Sequence, residues 1–577
     1  MRILDSRRLT GPNLHTGGPA AIVEVAFAPD EPHDPAIARW RAAVTAALRA
    51  LHWPCDVHVR LHDDGRGQRG ADLVFTAPVD ALYPATEIND WAVAQAAADS
   101  DPDPTDMLPI WRAAAAVEQR PDAAALRTAA AARDLPVLSD DDSLSIGHGR
   151  RAITWPIGQL PAPEAVPWDS LGRAPIALIT GTNGKTTTAR LLARIVRTAD
   201  RIPGNTSTDG MSVDERLIEA GDWTGPGAAR TVLRHPAVDL AVLEVARGGI
   251  LRRGLGVERC DVAAVLNVSA DHLGEYGIHD LTDMTRVKAV VGSVVAPHGR
   301  VVLGADSPPL VAMVAAGHSF PAPIVWFSLK ADHPTVVRHL KGGGEAWFVS
   351  ADDYLVRARG MPHGVIRDRL CAIADLPFCF AGAARHNVAN ALAAAALATG
   401  LGLRDTAIVE GLRSFGASAG DNPGRADLVG VGGVRVFLDF AHNPGGIHSL
   451  RPLLTHLRGP GRLLVSIGVP GDRDDPAILA VARAVYELGP DRILVRDLDH
   501  YLRGRAPGEV PTLLRDALIA LGSPPDAIAT VDGEVMALRH GLAWARRGDL
   551  VAILPHVERD EIHAELLRAI ADAARPA

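Results

Sequence analysis

Lysine is nearly missing from this chain: only four of its 59 basic residues are lysines, Lys185, Lys288, Lys330 and Lys341. A sequence that writes its positive charge as arginine keeps an amine where a guanidinium cannot do the work, and two of the four fall in motifs described below. Cysteine is also scarce. Cys55, Cys260, Cys371 and Cys379 form no CxxC pair, so neither a disulfide framework nor a zinc knuckle is indicated. Basic excess is absent, since the formal net charge is −9, so there is no electrostatic footprint for nucleic acid. No uninterrupted apolar stretch is long enough to span a membrane, and "MRILDSRRLTGPN" lacks the apolar core of a signal peptide. The expectation is a cytoplasmic protein with neither a nucleic-acid nor a membrane partner.

What is present is an ordinary globular composition. The 577 residues are 47% hydrophobic and 22% charged, enough for roughly two to four domains. Residues 1–133 read as a small α+β unit. Strand-like runs "AAIVEVAF" (20–27) and "ADLVFTAPV" (71–79) flank a helical pattern through Ile37, Trp40, Val44, Leu48 and Leu51. The alanine-rich stretch 112–133 reads as helix. Residues 134–174 are proline-rich and weakly periodic, which suits a linker. From 175 onward short apolar runs alternate with helical patterns, as a parallel sheet covered on both faces requires. The alternation pauses near 417–430 and resumes with "VRVFLDF" (434–440), "RLLVSIG" (462–468), "RILVRD" (492–497) and "LVAILP" (550–555). The domain reading is therefore 1–133, a linker 134–174, a central unit 175–416 and a second α/β unit 417–577.

The central unit opens on "PIALI" followed by "TGTNGKTTTARLL" (180–192). A strand, a glycine loop and a helix direct backbone N–H groups and the positive end of the helix at an anion. Gly181, Thr182, Asn183, Gly184, Lys185, Thr186 and Thr187 form the expected phosphate cradle. Lys185 would reach the terminal phosphates and Thr186 would complete a Mg²⁺ shell. The loop is compressed, with two residues instead of four between its first glycine and Gly184-Lys185.

This compressed "GTNGKT" loop resembles that of the Mur ligase superfamily, whose members join a carboxylate to an amine with release of ADP and phosphate. The resemblance extends along the chain. "LEVARGGILRRG" places Glu244 at a strand end and "NVSADHLG" places His272 at another, where the family binds a second metal. Lys288, in "MTRVKAVV", falls where the family carries a lysine that becomes a carbamate and binds that metal. "RHNVANALAAAALA" (385–398) resembles the segment that approaches the adenine, with Asn387 as the candidate and Asn390 one turn away. "NPGR" puts Arg425 where relatives contact ATP phosphates, and "DFAHNPGG" matches the loop in which Asp439 and His442 close over the nucleotide. The implied fold is α/β: a Mur ligase-like central P-loop domain with a parallel sheet and a C-terminal Rossmann-like α/β domain, preceded by the small α+β domain. The implied cofactors are ATP and Mg²⁺, and the implied catalytic set is Lys185, Glu244, His272 and Lys288, with Thr186 joining the last three as metal ligands.

Within the superfamily, "TSTDGM", "GDWTGPGAAR", "LEVARGGILRRGL" and "LRGRAPGEV" look like cyanophycin synthetases, as does the opening of the chain. These motifs supply Thr208, Asp209, Thr224, Arg247, Arg503 and Arg505 as substrate-binding candidates. Cyanophycin synthetases also carry an ATP-grasp domain that adds aspartate. Here "DLPVLSDDDSLSIGHGRRAITWPI" (134–157) resembles the entry to that domain, but the P-loop strand follows too soon for one to fit. The implied partners are an amino acid or peptide substrate and a separately encoded ATP-grasp ligase; homo-oligomerisation stays open. Two rival readings remain at this point: an inactive nucleotide-binding scaffold, and a ligase like folylpolyglutamate synthase.

Overall fold

The computed structural model describes residues 1–573 apart from Asp30, 64–66, Gln68, 99–101, His272 and 418–419, and the side chain of Asp499. The chain folds as two compact units. One comprises Met1–Phe348 with Val356–Asp368 and Leu392–Gly411; the other comprises Val349–Leu355, Arg369–Ala391 and the chain from Leu412 onward.

The first unit begins with a four-stranded antiparallel sheet in the order Arg2–Leu9, Ala20–Ala26, Arg69–Thr76, Val57–Asp63. The two inner strands are the ones the apolar pattern predicts. The outer two, "RILDSRRL" and "VHVRLHD", carry charges on the faces they leave outside the core, which hides them from a hydrophobicity reading. Helices His33–Leu51 and Leu82–Ala98 cover one face. Trp40 is fully buried there and donates its indole N–H to Asn89 at 2.9 Å, so the core carries no orphaned donor at that point.

The expected helix 112–133 is two helices, Leu108–Glu118 and Pro121–Ala131, because Pro121 cannot continue a helix but starts one well. The proline-rich stretch read as a linker is folded. Val137–Ser139, Ser143–Ile146 and Ile153–Pro156 form a three-stranded antiparallel sheet. Leu144, Ile146, Val166 and Leu171 pack with Ala123, Leu126 and Ala130 of the preceding helix. Strands this short give no readable alternation, so only tertiary packing reveals them.

The central sheet places the P-loop strand, Ile176–Thr180, between Leu240–Glu244 and Cys260–Val265, parallel to both. Outward from these, Pro203–Ser207 lies on one side and Val295–Gly304, Ile324–Ser328 and Glu345–Val349 on the other, all parallel. The hairpin Gly210–Val213 and Arg216–Ala220 adds an antiparallel edge. The three central strands are almost entirely buried, which explains their unbroken apolar runs. Their carboxyl ends lie side by side, so the residues that follow each strand gather at one edge.

The second unit holds a six-stranded sheet in the order Asp427–Val431, Val434–Leu438, Leu550–Ile553, Leu463–Gly468, Arg492–Arg496, Ile528–Thr530. It is parallel except for its first hairpin. No helix among the described residues is long and apolar enough to cross a membrane. The architecture is α/β overall, with the small α+β sheet at the N-terminus.

Candidate active site

In the first unit the P-loop joins Thr180 to the helix Lys185–Thr198. Gly184 caps that helix at φ 87°, a left-handed conformation that glycine adopts without strain. The Lys185 amine folds back on the loop, donating to the carbonyls of Gly181 at 3.2 Å and Thr182 at 3.1 Å. Thr182 is pinned to the neighbouring strand end by its N–H to the Asn267 carbonyl, and the Ser269 N–H donates to its hydroxyl. Asn183 and Asn267 bond reciprocally: the Asn183 N–H donates to the Asn267 side-chain oxygen at 2.9 Å, and the Asn267 amide donates to the Asn183 carbonyl at 3.0 Å. Asn267 was not singled out in the sequence. It stands five residues before His272 in "NVSADH", and nothing local marks it as a partner of the loop.

Thr186 donates its hydroxyl to the Glu244 carboxylate at 2.9 Å and lies 3.2 Å from the Thr208 hydroxyl. Glu244 is buried, and its backbone N–H donates to the Thr206 hydroxyl. Carboxylate and hydroxyl oxygens together form the hard-donor set that Mg²⁺ prefers. Among the described residues no group of three or more His, Cys, Asp or Glu side chains is placed to hold a metal. His272, expected as a ligand, lies outside the described residues.

Lys288 sits on the helix Leu281–Ser293 and is buried. Its amine donates to the Gly181 carbonyl at 3.0 Å. Burial, reinforced by the neighbouring Lys185 charge, pulls its pKa down to about 7 from 10.5. A large share of this amine is therefore neutral near pH 7, which is the nucleophilic form.

Of the first unit's substrate-binding candidates, Thr208 stands beside Thr186 as described, and Asp209 pairs with Arg190 of the P-loop helix at 2.8 Å. Thr224 donates to Asp222 at 2.7 Å and, with Glu244, borders a cavity of about 20 Å³, room for a single water. Arg247 pairs with Glu275.

The remaining candidates belong to the second unit. The Asp439 carboxylate accepts backbone N–H groups from Ala426 and Ala441, both at 2.8 Å, and so fixes the turn after Arg425. The Arg425 and Arg559 guanidinium groups each lie 4.2 Å from the Phe440 ring. The His442 and His556 rings lie 5.0 and 5.2 Å from it. His556 is driven well below its ordinary pKa by burial and by the nearby charges of His442, Arg496 and Arg559. Phe440, His556 and Arg559 were missed in the sequence; Phe440 lies inside the quoted "DFAHNP", but a phenylalanine beside two strand ends reads as core. Asn387 is buried and donates to the Phe378 carbonyl at 2.8 Å while accepting from Asn390. Arg505 is committed to Asp475, Glu509 and the carbonyls of Gly471 and Arg473, which makes it a brace for its loop. Arg503 pairs with Asp472 and remains half exposed.

Known proteins share this pattern. Residues 179–398 match the Mur ligase middle domain, and residues 424–557 match the Mur ligase glutamate ligase domain. The chain belongs to the Mur ligase family. Within it, the chain is similar to the cyanophycin synthetase of Crocosphaera subtropica, 40% identical over 391 residues, which is 67% of this chain and 43% of that one. The Synechocystis cyanophycin synthetase is 36% identical over 73% of this chain and 46% of its own length. This Mur ligase family member thus spans about half the length of the curated relatives it matches. A UDP-N-acetylmuramoyl-L-alanyl-D-glutamate–2,6-diaminopimelate ligase from Mesorhizobium japonicum is 28% identical over 67% of this chain and 75% of that one. A solved bifunctional folylpolyglutamate synthase/dihydrofolate synthase aligns with a TM-score of 0.49 at 21% identity, over 68% of this chain and 89% of its own.

Proposed function

We propose that this chain is an ATP-dependent carboxylate–amine ligase that forms an amide or isopeptide bond on an amino acid, peptide or cyanophycin-like substrate and releases ADP and phosphate. The observation that carries the reading is the buried Lys288 amine, held against the P-loop carbonyl of Gly181 in an arginine-rich chain. An ordinary nucleotide-binding loop has no need for a second buried amine at its base. A carbamylated lysine accounts for it: the neutral amine adds to CO₂, an N–C bond forms, a proton leaves to solvent, and the side chain becomes an anionic carbamate with oxygen donors.

The chemistry follows from the parts. A carboxylate and an amine do not condense in neutral water, so the carboxylate is first phosphorylated by ATP. The backbone N–H groups of the loop and Lys185 hold the phosphates in line and offset charge on the transferred group. Thr186, Glu244, Lys288 as its carbamate and His272 would hold divalent metal, which neutralises phosphate charge and polarises the carboxylate. The substrate amine then attacks the acyl phosphate, an amide forms and phosphate leaves. In the second unit, Arg425, Asp439, His442 and Asn387 are the proposed nucleotide contacts.

The match covers 43% of the Crocosphaera cyanophycin synthetase, and residues 134–174 here form a small packed sheet leading into the P-loop strand. We therefore propose a Mur-type ligase that receives its carboxylate substrate from a separately encoded ATP-grasp ligase. The test is ADP release with Mg²⁺, aspartyl peptides and each amino acid in turn, with product mass recorded and Lys185→Ala as control. Turnover that needs one peptide and one amino acid, with the matching mass gain, supports the reading. ATP binding without stimulated turnover on any pair would favour the scaffold alternative.

A further inference from the structure

Arg60 of the N-terminal sheet reaches the segment that carries Lys288. Arg60, on the strand Val57–Asp63, has its guanidinium held from behind by the buried Asp72, with Nε donating at 2.8 Å. Nη2 also pairs with that carboxylate at 2.7 Å, and the guanidinium reaches on to the helix Leu281–Ser293 and the turn before it. Nη1 donates to the Asp283 carboxylate at 3.2 Å, and Nη2 donates to the Gly277 carbonyl at 3.0 Å with the Tyr276 carbonyl at 3.5 Å.

These acceptors lie on the segment that leads into the Lys288 helix. Tyr276 and Gly277 both take positive φ, 55° and 64°, and a Cβ on Gly277 would come within 2.8 Å of Arg60 Nη2. The turn is closed by the Gly274 N–H donating to the Ile278 carbonyl, and Arg7 lies 4.6 Å over the Tyr276 ring. Asp280 then caps the helix by accepting the Asp283 N–H at 2.8 Å. Asp283 is therefore fixed twice, by its backbone to Asp280 and by its carboxylate to Arg60. Lys288 follows five residues later on the same rigid helix. A planar guanidinium sets the direction of several acceptors at once, which a lysine ammonium does not.

We propose that Arg60 is a positioning residue for Lys288: the N-terminal sheet sets the rotation and height of the helix Leu281–Ser293, and so aims the buried amine at the P-loop. The ligase-type site is thus completed by the N-terminal sheet rather than contained in the family-matched domains. This rests on the Lys288 metal-ligand reading above.

The test compares wild type with Arg60→Lys and Asp283→Asn in the full chain, by Mn²⁺ electron paramagnetic resonance titration with a non-hydrolysable ATP analogue and bicarbonate, alongside nucleotide affinity and thermal unfolding. Both variants should keep their fold and nucleotide affinity while Mn²⁺ binding weakens on the order of 10-fold. Unchanged Mn²⁺ binding with a lowered melting temperature would reduce Arg60 to interface glue and overturn the proposal. Wild type that binds no Mn²⁺ would overturn it as well. Because the readout is binding, wild type that holds Mn²⁺ yet ligates nothing discards the ligase reading alone, and the variant comparison still decides the role of Arg60.

Discussion

The buried amine of Lys288 donates to the carbonyl of Gly181 at 3.0 Å, joining residues 107 positions apart in the chain. The contact puts a second amine beneath a loop that already has Lys185, and the mutual repulsion helps pull Lys288 toward neutrality. Replacing it with arginine keeps a charge but removes the nitrogen nucleophile that takes up CO₂. Lys288→Arg should abolish ligation while leaving the circular dichroism spectrum and nucleotide binding in place. Activity in that variant without an added carboxylate would remove the carbamate from the scheme.

The same amine gives stability a definite pH dependence. Its folded pKa, about 7, lies below the ordinary 10.5, so between these values the unfolded chain holds a proton that the folded chain has released. Stability therefore rises with pH across that window, and the cost of the buried charge is fully present below it. In CO₂-free buffer without nucleotide, wild type should gain in melting temperature on Lys288→Met between pH 7 and 9.5. A constant difference would mean that the amine titrates at its ordinary value.

Glu244 receives the Thr186 hydroxyl at 2.9 Å at the end of the strand beside the P-loop strand. Glu244→Gln keeps the shape and a hydrogen-bond acceptor but loses the negative charge. Turnover should fall by about 100-fold or more, with the melting temperature changed little. Initial rates across a Mg²⁺ titration check this, and a rate restored by excess metal alone would point to affinity rather than chemistry.

Asn267 holds Asn183 through two reciprocal bonds, and cutting both frees the middle of the loop. Asn267→Ala should weaken nucleotide binding about 10-fold, as loss of about 1–2 kcal/mol implies. Isothermal titration with ATP or ADP measures it directly.

In the second unit Arg496 and Glu534 form a fully buried ion pair at 2.9 Å. Glu534 also accepts the backbone N–H groups of His556, Val557 and Glu558, which fixes the turn leading to Arg559. Glu534→Gln leaves the Arg496 charge buried without its counterion and should destabilise this unit by about 3–5 kcal/mol. A urea melt followed by tryptophan fluorescence tests it, with Trp544 at the end of the Glu534 helix as the reporter.

The glycine loop between strand and helix was legible in the sequence alone. The compressed "GTNGKT" between an apolar run and a helical pattern, the near-absence of lysine, and Glu244 closing the run "LAVLE" are local patterns, and local patterns are legible along a chain. The α/β class was legible for the same reason, since the central strands are buried on both faces and so apolar throughout. Tertiary structure alone decided which distant residues meet. The order of the sheet, with the P-loop strand between Leu240–Glu244 and Cys260–Val265, brings Asn267 to Asn183 and Lys288 to Gly181. The fold of 134–174 and the reach of Arg60 to Gly277 and Asp283 depend on packing between short or charged elements with no apolar period of their own. Hydrogen-bond partners that lie about a hundred residues apart or more leave no trace in spacing, because strand order, not chain distance, sets their separation.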